Sequence, residues 1–357
     1  MKKILLSSAA IVAFAGAASA EITLSGSATV GYNDDHEGGV YADADIDFTA
    51  SQELNNGWTA ALSYGIELEQ LEYSDDDGMG IDQGGSFDGN VLFSISNDMY
   101  GLHYGDTEFA AASLWSGVSD MASDGFSEKD GEEILKFTGK MGGIEAAISA
   151  PVLNDSQELG QMSFGATGSF GNFGFGVAYQ EEGEAMSATN GLEGDYNEEE
   201  ILGLFVSTDL AGASIKVAYA SNETAGTDST GIEVSYPIGD VSVGAFYVSE
   251  SDQDDGFGVS VDYASGPASV SAFYNEVDGA AEVGLEGSYA VNDDLTVFAG
   301  YIDDDNLEGG AYIGAEYDLG GGASFLASYG DADEEGDDEF GAKDYKDGMT
   351  VQLGLSF

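Results

Sequence analysis

The side chains with the most chemical potential in this sequence are carboxylates that gather in short acidic runs. Carboxylate oxygens spaced this closely are the ligands that Ca²⁺ and Mg²⁺ prefer. The candidates for such a site are Asp75, Asp76, Asp77, Asp254, Asp255, Asp303, Asp304 and Asp305. A further run at 331–342 begins like an EF-hand loop, but its twelfth position is Ala342 instead of glutamate. Weak cation binding and simple solvation are both compatible with these runs, and neither makes a metal a required cofactor.

Groups that could act as a base or a nucleophile are few. The chain has two histidines, His36 and His103, and no cysteine, which excludes thiol chemistry and disulfides. A hydrolase would need a base beside a serine, and only His103, on the polar face of a predicted strand, could supply one. The glycine-rich "GNFGFG" at 171–176 joins two predicted strands and opens no helix, unlike a nucleotide-binding loop. The sequence therefore predicts that the protein is not an enzyme.

The overall charge excludes one large class of partners. The chain has 67 acidic residues against 8 lysines, no arginine, and a formal net charge of −59 over 357 residues. Nucleic-acid binding needs clustered Lys and Arg, so we expect no nucleic-acid partner. Hydrophobic residues make up 43% of the chain, and 53 glycines with 19 Tyr and 19 Phe favour many strands and tight turns. The composition predicts a folded, all-β protein.

The first 20 residues indicate export. A basic start precedes a short apolar run, and the small-x-small sequence "ASA" ends at Ala20, as at a cleavage site. We therefore expect residues 1–20 to be a cleaved signal peptide and residues 21–357 to be one mature domain. No later stretch is apolar enough to span a membrane as a helix, so the exported chain is predicted to be soluble or a β-barrel.

Alternation of apolar and polar residues with a period of two runs through the mature chain and predicts β-strands. Neighbouring strands are joined by tight turns on one side and by longer, often acidic loops on the other. The predicted tight turns lie at 55–57, 96–98, 140–143, 171–172, 209–212, 237–240, 265–267, 292–294 and 320–322. Nine hairpins and one strand at each end make twenty strands. The alternating runs are about 9–11 residues long, the length that crosses a bilayer at a tilt.

The two faces of these strands differ in a way that distinguishes lipid from a protein core. One face is modestly apolar and often ends in an aromatic residue, as at Tyr32, Trp58 and Tyr329, which is typical of membrane barrels. The other face carries the carboxylates Asp43, Asp45, Asp47, Glu67, Glu69 and Glu316. A dry protein core does not accept so many charges without partners, whereas a water-filled lumen does. The predicted fold is therefore an all-β, transmembrane antiparallel β-barrel.

Four stretches also carry a resemblance to a known family. They are "EITLSGSATVGY" after residue 20, "YGLHYGD" at 100–106, "YDLGGGAS" at 317–324 and the alternating strand that ends at Phe357. Together they resemble the general diffusion porins of Rhodobacter-type alphaproteobacteria, within the Gram-negative porin family. The resemblance implies a 16-stranded outer-membrane barrel that forms a homotrimer, with a third loop folded into each pore. It also implies that Phe357 is an assembly signal for the outer-membrane assembly machinery.

Two features depart from that family pattern. The hairpin count makes twenty strands where the family has sixteen, and both numbers stand as expectations. Such porins place an arginine cluster on the wall opposite an acidic third loop, whereas this chain has no arginine. The lysines that alternation points inward, Lys136 and Lys216, are the candidates for that opposing wall. The alternative is that both are stray charges of the lumen.

The third loop would span residues 106–133. Its candidate constriction residues are Asp106, Glu108, Trp115, Asp120, Asp124, Glu128 and Asp130. Carboxylates at the narrowest point of a pore would concentrate cations and exclude anions. The alternative is a loop that turns outward and contributes to trimer contacts.

These features predict a passive, water-filled, cation-preferring channel for small hydrophilic solutes and ions in the outer membrane of a Gram-negative bacterium. Its expected partners are outer-membrane lipid, further copies of itself in a homotrimer, the assembly machinery, and small solutes and cations. Two alternatives stay open from the residues alone: a substrate-specific outer-membrane channel, and a secreted, acidic, calcium-binding β-structured surface protein. Saturable solute flux would favour the first, and solubility without detergent would favour the second.

Overall fold

The computed structural model describes residues 20–34, 39–68, 91–119, 121–129, 133–153, 158–183, 196–305, 309–332, 339–340 and 345–357. Within these ranges, twenty antiparallel strands form one sheet that closes on itself. The closed sheet is the all-β barrel that the alternation predicts.

The strands follow one another in chain order around the barrel. The first ten are β1 (Glu21–Asn33), β2 (Val40–Glu53), β3 (Thr59–Leu68), β4 (Val91–Ser96), β5 (Tyr100–Gly105), β6 (Ile134–Met141), β7 (Ile144–Pro151), β8 (Ser163–Phe170), β9 (Phe173–Gln180) and β10 (Ile201–Leu210). The next nine are β11 (Ala213–Asn222), β12 (Thr227–Ile238), β13 (Val241–Glu250), β14 (Gly256–Ser265), β15 (Ala268–Val277), β16 (Ala280–Ala290), β17 (Leu295–Asp304), β18 (Gly310–Gly320) and β19 (Ala323–Ala332). Two short strands, β20 (Glu339–Phe340) and β21 (Tyr345–Lys346), pair with each other, and β22 (Gly348–Ser356) ends the sheet. One short helix, α1 (Ala110–Leu114), lies between β5 and β6.

The barrel closes between its first and last strands. β22 pairs antiparallel with β1, with Ser356 opposite Ser27 and Thr350 opposite Asn33. Beyond the last strand residue, the backbone of Phe357 exchanges two hydrogen bonds of 3.0 Å with that of Gly26. Closure leaves no open edge, which a sheet in hydrocarbon requires because unpaired backbone groups there are costly.

The strand number follows the hairpin count. All nine predicted tight turns connect consecutive strands, from β2–β3 at the first turn to β18–β19 at the last. The barrel therefore has twenty strands, and the sixteen that the family resemblance implies do not apply to this chain. Several strand lengths fall outside the predicted 9–11 residues: β4 and β5 have 6 residues each and β6 to β9 have 8, whereas β1, β2 and β12 have 13, 14 and 12.

Alternation along the strands separates an outer apolar face from an inner polar face. On β10, Leu204 and Val206 are 44% and 49% exposed on the outside, whereas Phe205 between them packs against interior residues. Apolar side chains that stay this exposed over a whole face are typical of a surface that contacts lipid. No helix among the described residues is long and apolar enough to cross a membrane.

Inward-pointing aromatic rings lie over glycines of neighbouring strands. A Cβ on Gly284 would lie 2.1 Å from the ring of Phe273, and a Cβ on Gly258 would lie 2.2 Å from the ring of Phe246. The rings therefore lie flat on the wall instead of projecting into the lumen. This packing accounts for part of the high glycine content, because any larger residue would displace the ring.

Candidate functional site

The chain that follows β5 turns into the barrel. Gly105 has a φ of 118°, and a Cβ at this position would lie 1.9 Å from the carbonyl oxygen of Val91, so the bend requires glycine. Residues 106–129, here called the inner segment, then contact the interior face of every strand from β6 to β13. Of the predicted constriction residues, Asp120 and Asp130 lie outside the described residues.

The N-terminus of α1 is held by two serines of the wall. The backbone N–H groups of Ala110 and Ala111 donate to Oγ of Ser149, at 2.8 Å, and to Oγ of Ser163, at 2.7 Å. The first N–H groups of a helix have no partner within the helix itself. The wall hydroxyls therefore act as its caps, and they are buried beneath it.

Trp115 is an apolar contact between the inner segment and the wall. Its ring lies 5.6 Å from the ring of Phe126 and 6.0 Å from that of Phe205, measured between centroids. A Cβ on Gly203 of β10 would lie 2.5 Å from this ring, so the indole rests directly on the backbone of the wall. Its Nε1 donates to Oδ2 of Asp124 at 2.8 Å, which ties two parts of the segment together.

Further along, the inner segment forms a small apolar core with the wall. Val118 and Met121 pack with Ala218 and Ala220 of β11 and with Val248 of β13, and all five are buried. Because Ala218 and Ala220 have small side chains, the inner segment can pack closely against β11. This part of the barrel interior is protein core and not a water-filled lumen.

A buried polar network holds the end of the inner segment. Ser127 donates its N–H to Oε1 of Gln180 at 2.8 Å and its hydroxyl to Oε1 of Gln161 at 3.1 Å. The same hydroxyl accepts the N–H of Asn197 at 2.9 Å. Three parts of the chain, the inner segment, the wall and the loop before β10, therefore share one network, as buried polar groups require.

The structure corrects the placement expected for the two wall lysines. Lys136 and Lys216 lie beneath the inner segment on the wall that it covers, and not across the pore from it. Nζ of Lys136 donates to the carbonyl of Glu108 at 2.9 Å, and Nζ of Lys216 donates to the carbonyl of Gly117 at 2.9 Å. The physical reason is that main-chain carbonyls of a segment without regular structure need donors, and a charged amine is a strong one.

The described acids of the inner segment differ in their surroundings. Asp106 pairs with Lys129, with 3.0 Å between Oδ2 and Nζ. Asp124 accepts the indole N–H already described. Glu128 is exposed, and Glu108 is half-buried.

Glu108 is the acid of this segment whose ionisation the structure perturbs. Burial raises the pKa of Glu108 above its usual value, and the nearby charge of Glu128 adds to the increase. A hydrogen bond from the N–H of Phe109 and the charges of Lys136 and Lys129 act in the opposite direction, and burial outweighs them. This carboxyl therefore takes up a proton at a higher pH than an exposed glutamate does.

Among the described residues, the inner segment makes no hydrogen bond to the wall formed by β14–β19, β22 and β1–β3, and this wall carries the other predicted lumen acids. Asp43 and Asp47 are exposed on the inner face of β2, and Asp45 between them accepts a hydrogen bond of 3.0 Å from Ser27. Glu316 lies on the inner face of β18. The side chain of Glu67 and all of Glu69 lie outside the described residues. The strands of this wall contain no lysine.

Two of the predicted cation ligands that the structure describes, Asp255 and Asp305, accept local hydrogen bonds. Asp255 accepts the hydroxyl of Tyr247 and the N–H of Glu250, and the first of these lowers the pKa of Asp255. Asp305 accepts the N–H of Ala281 at 2.9 Å. Among the described residues, no three His, Asp or Glu side chains are grouped to hold a metal ion. Asp75, Asp76 and Asp77 lie outside those residues.

Two further candidates have simple structural settings. His103 lies on the inner face of β5 with Nε2 3.5 Å from the hydroxyl of Thr138. Phe357 follows β22 on the outer face, with its side chain 53% exposed. The backbone bonds to Gly26 place this terminal ring at the closing seam of the barrel.

The residues that the sequence reasoning missed are the polar partners of the inner segment on the wall. Ser149, Ser163, Gln180 and Ser229 all point inward from strands, where alternation predicts polar side chains of the lumen. One signal was present in the segment itself. Apolar residues such as Val118, Met121 and Phe126 are unusual in an acidic loop and indicate a loop that packs against protein.

The family comparison matches nearly the whole chain. The sequence profile of the Gram-negative porin family matches residues 7–337. No sequence among the curated proteins matches this chain.

Among solved structures, porins from Rhodopseudomonas blastica have a similar fold. A double mutant of that porin has a TM-score of 0.50 and 16% sequence identity, and the alignment covers 79% of this chain and 99% of that chain. A triple mutant of the same porin has a TM-score of 0.50 and 15% identity, with the same coverage of both chains. At these identities the likeness shows the fold alone.

Proposed function

This chain belongs to the Gram-negative porin family, and from that premise we propose that it is a passive outer-membrane channel that prefers cations. The family and the barrel support a water-filled pore for small hydrophilic solutes and ions. The preference for cations is our inference from the charges of the interior.

One observation carries the preference: the strands of the wall that the inner segment leaves uncovered carry inward carboxylates and no lysine. Asp43, Asp45 and Asp47 follow one another on the inner face of β2, and Asp262, Glu282, Glu286 and Glu316 line the inner faces of β14, β16 and β18. A low-dielectric wall focuses the field of such charges into the pore, which enriches cations and repels anions.

The inner segment is the proposed constriction. It occupies the side of the lumen formed by β6 to β13, so the remaining opening lies between this segment and the acidic wall. Glu108 and Glu128 add negative charge on the segment side. Both sides of the opening would then repel anions.

Single-channel recording in planar bilayers tests this function. The mature protein is added to one side, and the reversal potential is measured under a potassium chloride gradient. We expect discrete conductance steps and a reversal potential with the sign of potassium permeation. Discrete steps with an anion-signed potential would contradict the charge argument and leave the pore intact, whereas no conductance would contradict the channel itself.

We also propose that the channel is a homotrimer. An apolar groove of about 720 Å³ runs along β15–β19 and β22, and most of its lining side chains belong to the outer face. Ala299, Ala315 and Ala327 keep this part of the face shallow, and small residues allow close approach between membrane-embedded surfaces. Conductance steps that occur in threes, and a cross-linked trimer in detergent, would support this state. A monomer by both measurements would contradict it.

Two further proposals concern processing and ions. Residues 1–20 are expected to be removed on export, so mass spectrometry of the outer-membrane protein should show Glu21 as its first residue. Loose binding of Ca²⁺ or Mg²⁺ by the acidic loops would reduce repulsion between them. The expected result is a higher thermal midpoint in millimolar Ca²⁺ than in the same ionic strength of NaCl, and equal midpoints would contradict it.

A further inference from the structure

We infer that Lys136 and Lys216 are positioning residues that hold the inner segment against the wall and so set the width of the open pore. This inference rests on the proposed channel function and adds to it. In a channel that prefers cations, two inward lysines would oppose the selectivity if their charges faced the pore. Their hydrogen bonds give them a different role.

Lys136 reaches the inner segment at both ends of α1. Its Nζ donates to the carbonyl of Glu108, just before the helix, at 2.9 Å, and to Oγ of Ser113, in its last turn, at 3.0 Å. The residue is only 7% exposed. An amine buried to this extent must have strong acceptors, and here the inner segment supplies them.

Lys216 holds the segment at a second point, beyond α1. Its Nζ donates to the carbonyl of Gly117 at 2.9 Å, and the same Nζ lies 3.5 Å from Oε2 of Glu233 on the neighbouring strand. The negative charge of Glu233 partly offsets the positive charge of Lys216 on the side of the wall. The two lysines thus bind main-chain carbonyls on either side of α1, at Glu108 and Gly117, and Lys136 also binds the helix itself through Ser113.

A third lysine of the same wall provides a natural control. Lys140 also points inward from β6, but its Nζ pairs with Glu145 at 2.8 Å and its side chain is 60% exposed. It carries the same charge on the same side of the lumen, and among the described residues it makes no hydrogen bond to the inner segment. Comparing the three lysines therefore separates an effect of charge from an effect of attachment.

The test uses the full-length mature protein with Lys136→Met, Lys216→Met and Lys140→Met, and with Lys216→Arg as the conservative variant. Two quantities are measured: open-channel current fluctuations in planar bilayers, and amide hydrogen exchange of residues 108–117 in detergent. Exchange of the strand amides in the same samples reports whether each barrel is folded. Where Lys136→Met lowers the yield of folded barrel, the Lys216 variants decide, because that side chain is partly exposed.

We expect Lys136→Met and Lys216→Met to increase the released fraction of the segment about tenfold, since a hydrogen bond to a charged group contributes at least that factor. Current fluctuations and exchange should rise together, Lys216→Arg should resemble the native protein, and Lys140→Met should change only the reversal potential. Native exchange and native fluctuations in the Lys136→Met and Lys216→Met proteins would overturn the inference. If the native protein does not conduct, the channel proposal fails, and the exchange measurement still decides whether these lysines hold the segment.

Discussion

The interior of this barrel has two walls that the same alternating pattern produces and that do different things. From β6 to β13 the inner face is covered by the inner segment, and where the segment packs, small and polar side chains such as Ala218, Ala220 and Gln180 are buried. On β14–β19, β22 and β1–β3 the described residues of the inner face make no hydrogen bond to that segment, and acids such as Asp43 and Asp47 are exposed. One wall is therefore a packing surface, and the other is the surface that solutes would meet.

An inward polar residue of a large barrel therefore has no single role. Ser149 and Ser163 would be pore-lining hydroxyls if they lay opposite the segment, but here they cap a helix. The three lysines of the barrel strands all lie on the covered wall, where two of them serve as donors to carbonyls of the segment. A lysine that would oppose cation preference if it faced the pore instead stabilises the packed segment when it has a carbonyl acceptor.

The largest effect on this contrast should come from Trp115→Ala. Loss of the ring leaves a cavity beside Phe126 and Phe205, and we expect the packed segment to lose about 3 kcal/mol, near the lower end for buried aromatic truncations because the ring is partly exposed. Amide hydrogen exchange of the inner segment measures this loss. Trp58→Ala, at the only other tryptophan of the chain, should leave the segment unchanged. Native protection in the Trp115→Ala protein would show that the covered wall is not a core.

A smaller loss should follow from adding one methyl group to the covered wall. In Gly203→Ala the new Cβ would lie 2.5 Å from the indole of Trp115, and we expect a cost of about 2 kcal/mol from overpacking. Tryptophan emission and segment exchange should both change. The matched control is Gly287→Ala, whose Cβ would meet its nearest atom at 3.6 Å. Equal losses of stability in Gly203→Ala and Gly287→Ala would contradict the tight packing of the segment against the covered wall.

The uncovered wall can be tested by charge. Replacing Asp43, Asp45 and Asp47 together with Asn should reduce the ratio of cation to anion permeability, by about tenfold in low salt, because the field in the pore is the sum of these charges. Reversal potentials measure the ratio. In 1 M salt the Debye length is about 3 Å, so the native and variant channels should converge there. If the variant keeps the cation preference of the native channel in low salt, residues other than these three aspartates determine the selectivity.

The smallest effect concerns one proton on the inner segment. Because the pKa of Glu108 is raised, lowering the pH should neutralise this side chain before the exposed acids, and the first decrease in cation preference should occur there. Stability changes in the opposite direction: the folded state binds this proton more tightly than the unfolded state, so the free energy of unfolding rises as the pH falls through the raised pKa. Glu108→Gln should remove this first step from a plot of reversal potential against pH. An unchanged first step would assign it to another group.

Much of the architecture was predictable because it depends on local patterns. The nine tight turns follow from glycine and Asn/Asp clusters between alternating runs, and they predict the twenty strands better than the family resemblance does. The roles of Lys136 and Lys216 could not be predicted in this way. Lys216 bonds to Gly117, 99 residues away in the chain, and no periodicity reports such a contact.

The amino-acid sequence by itself determined that this chain forms strands with one apolar and one acidic face, since side-chain direction alternates with every residue of an extended backbone. It also determined the order of the strands, because short turns force neighbours in the chain to pair. Which part of the interior is core and which is lumen depends instead on the tertiary structure. That division depends on where one acidic loop lies after the sheet has closed, and closure brings together residues from opposite ends of the chain.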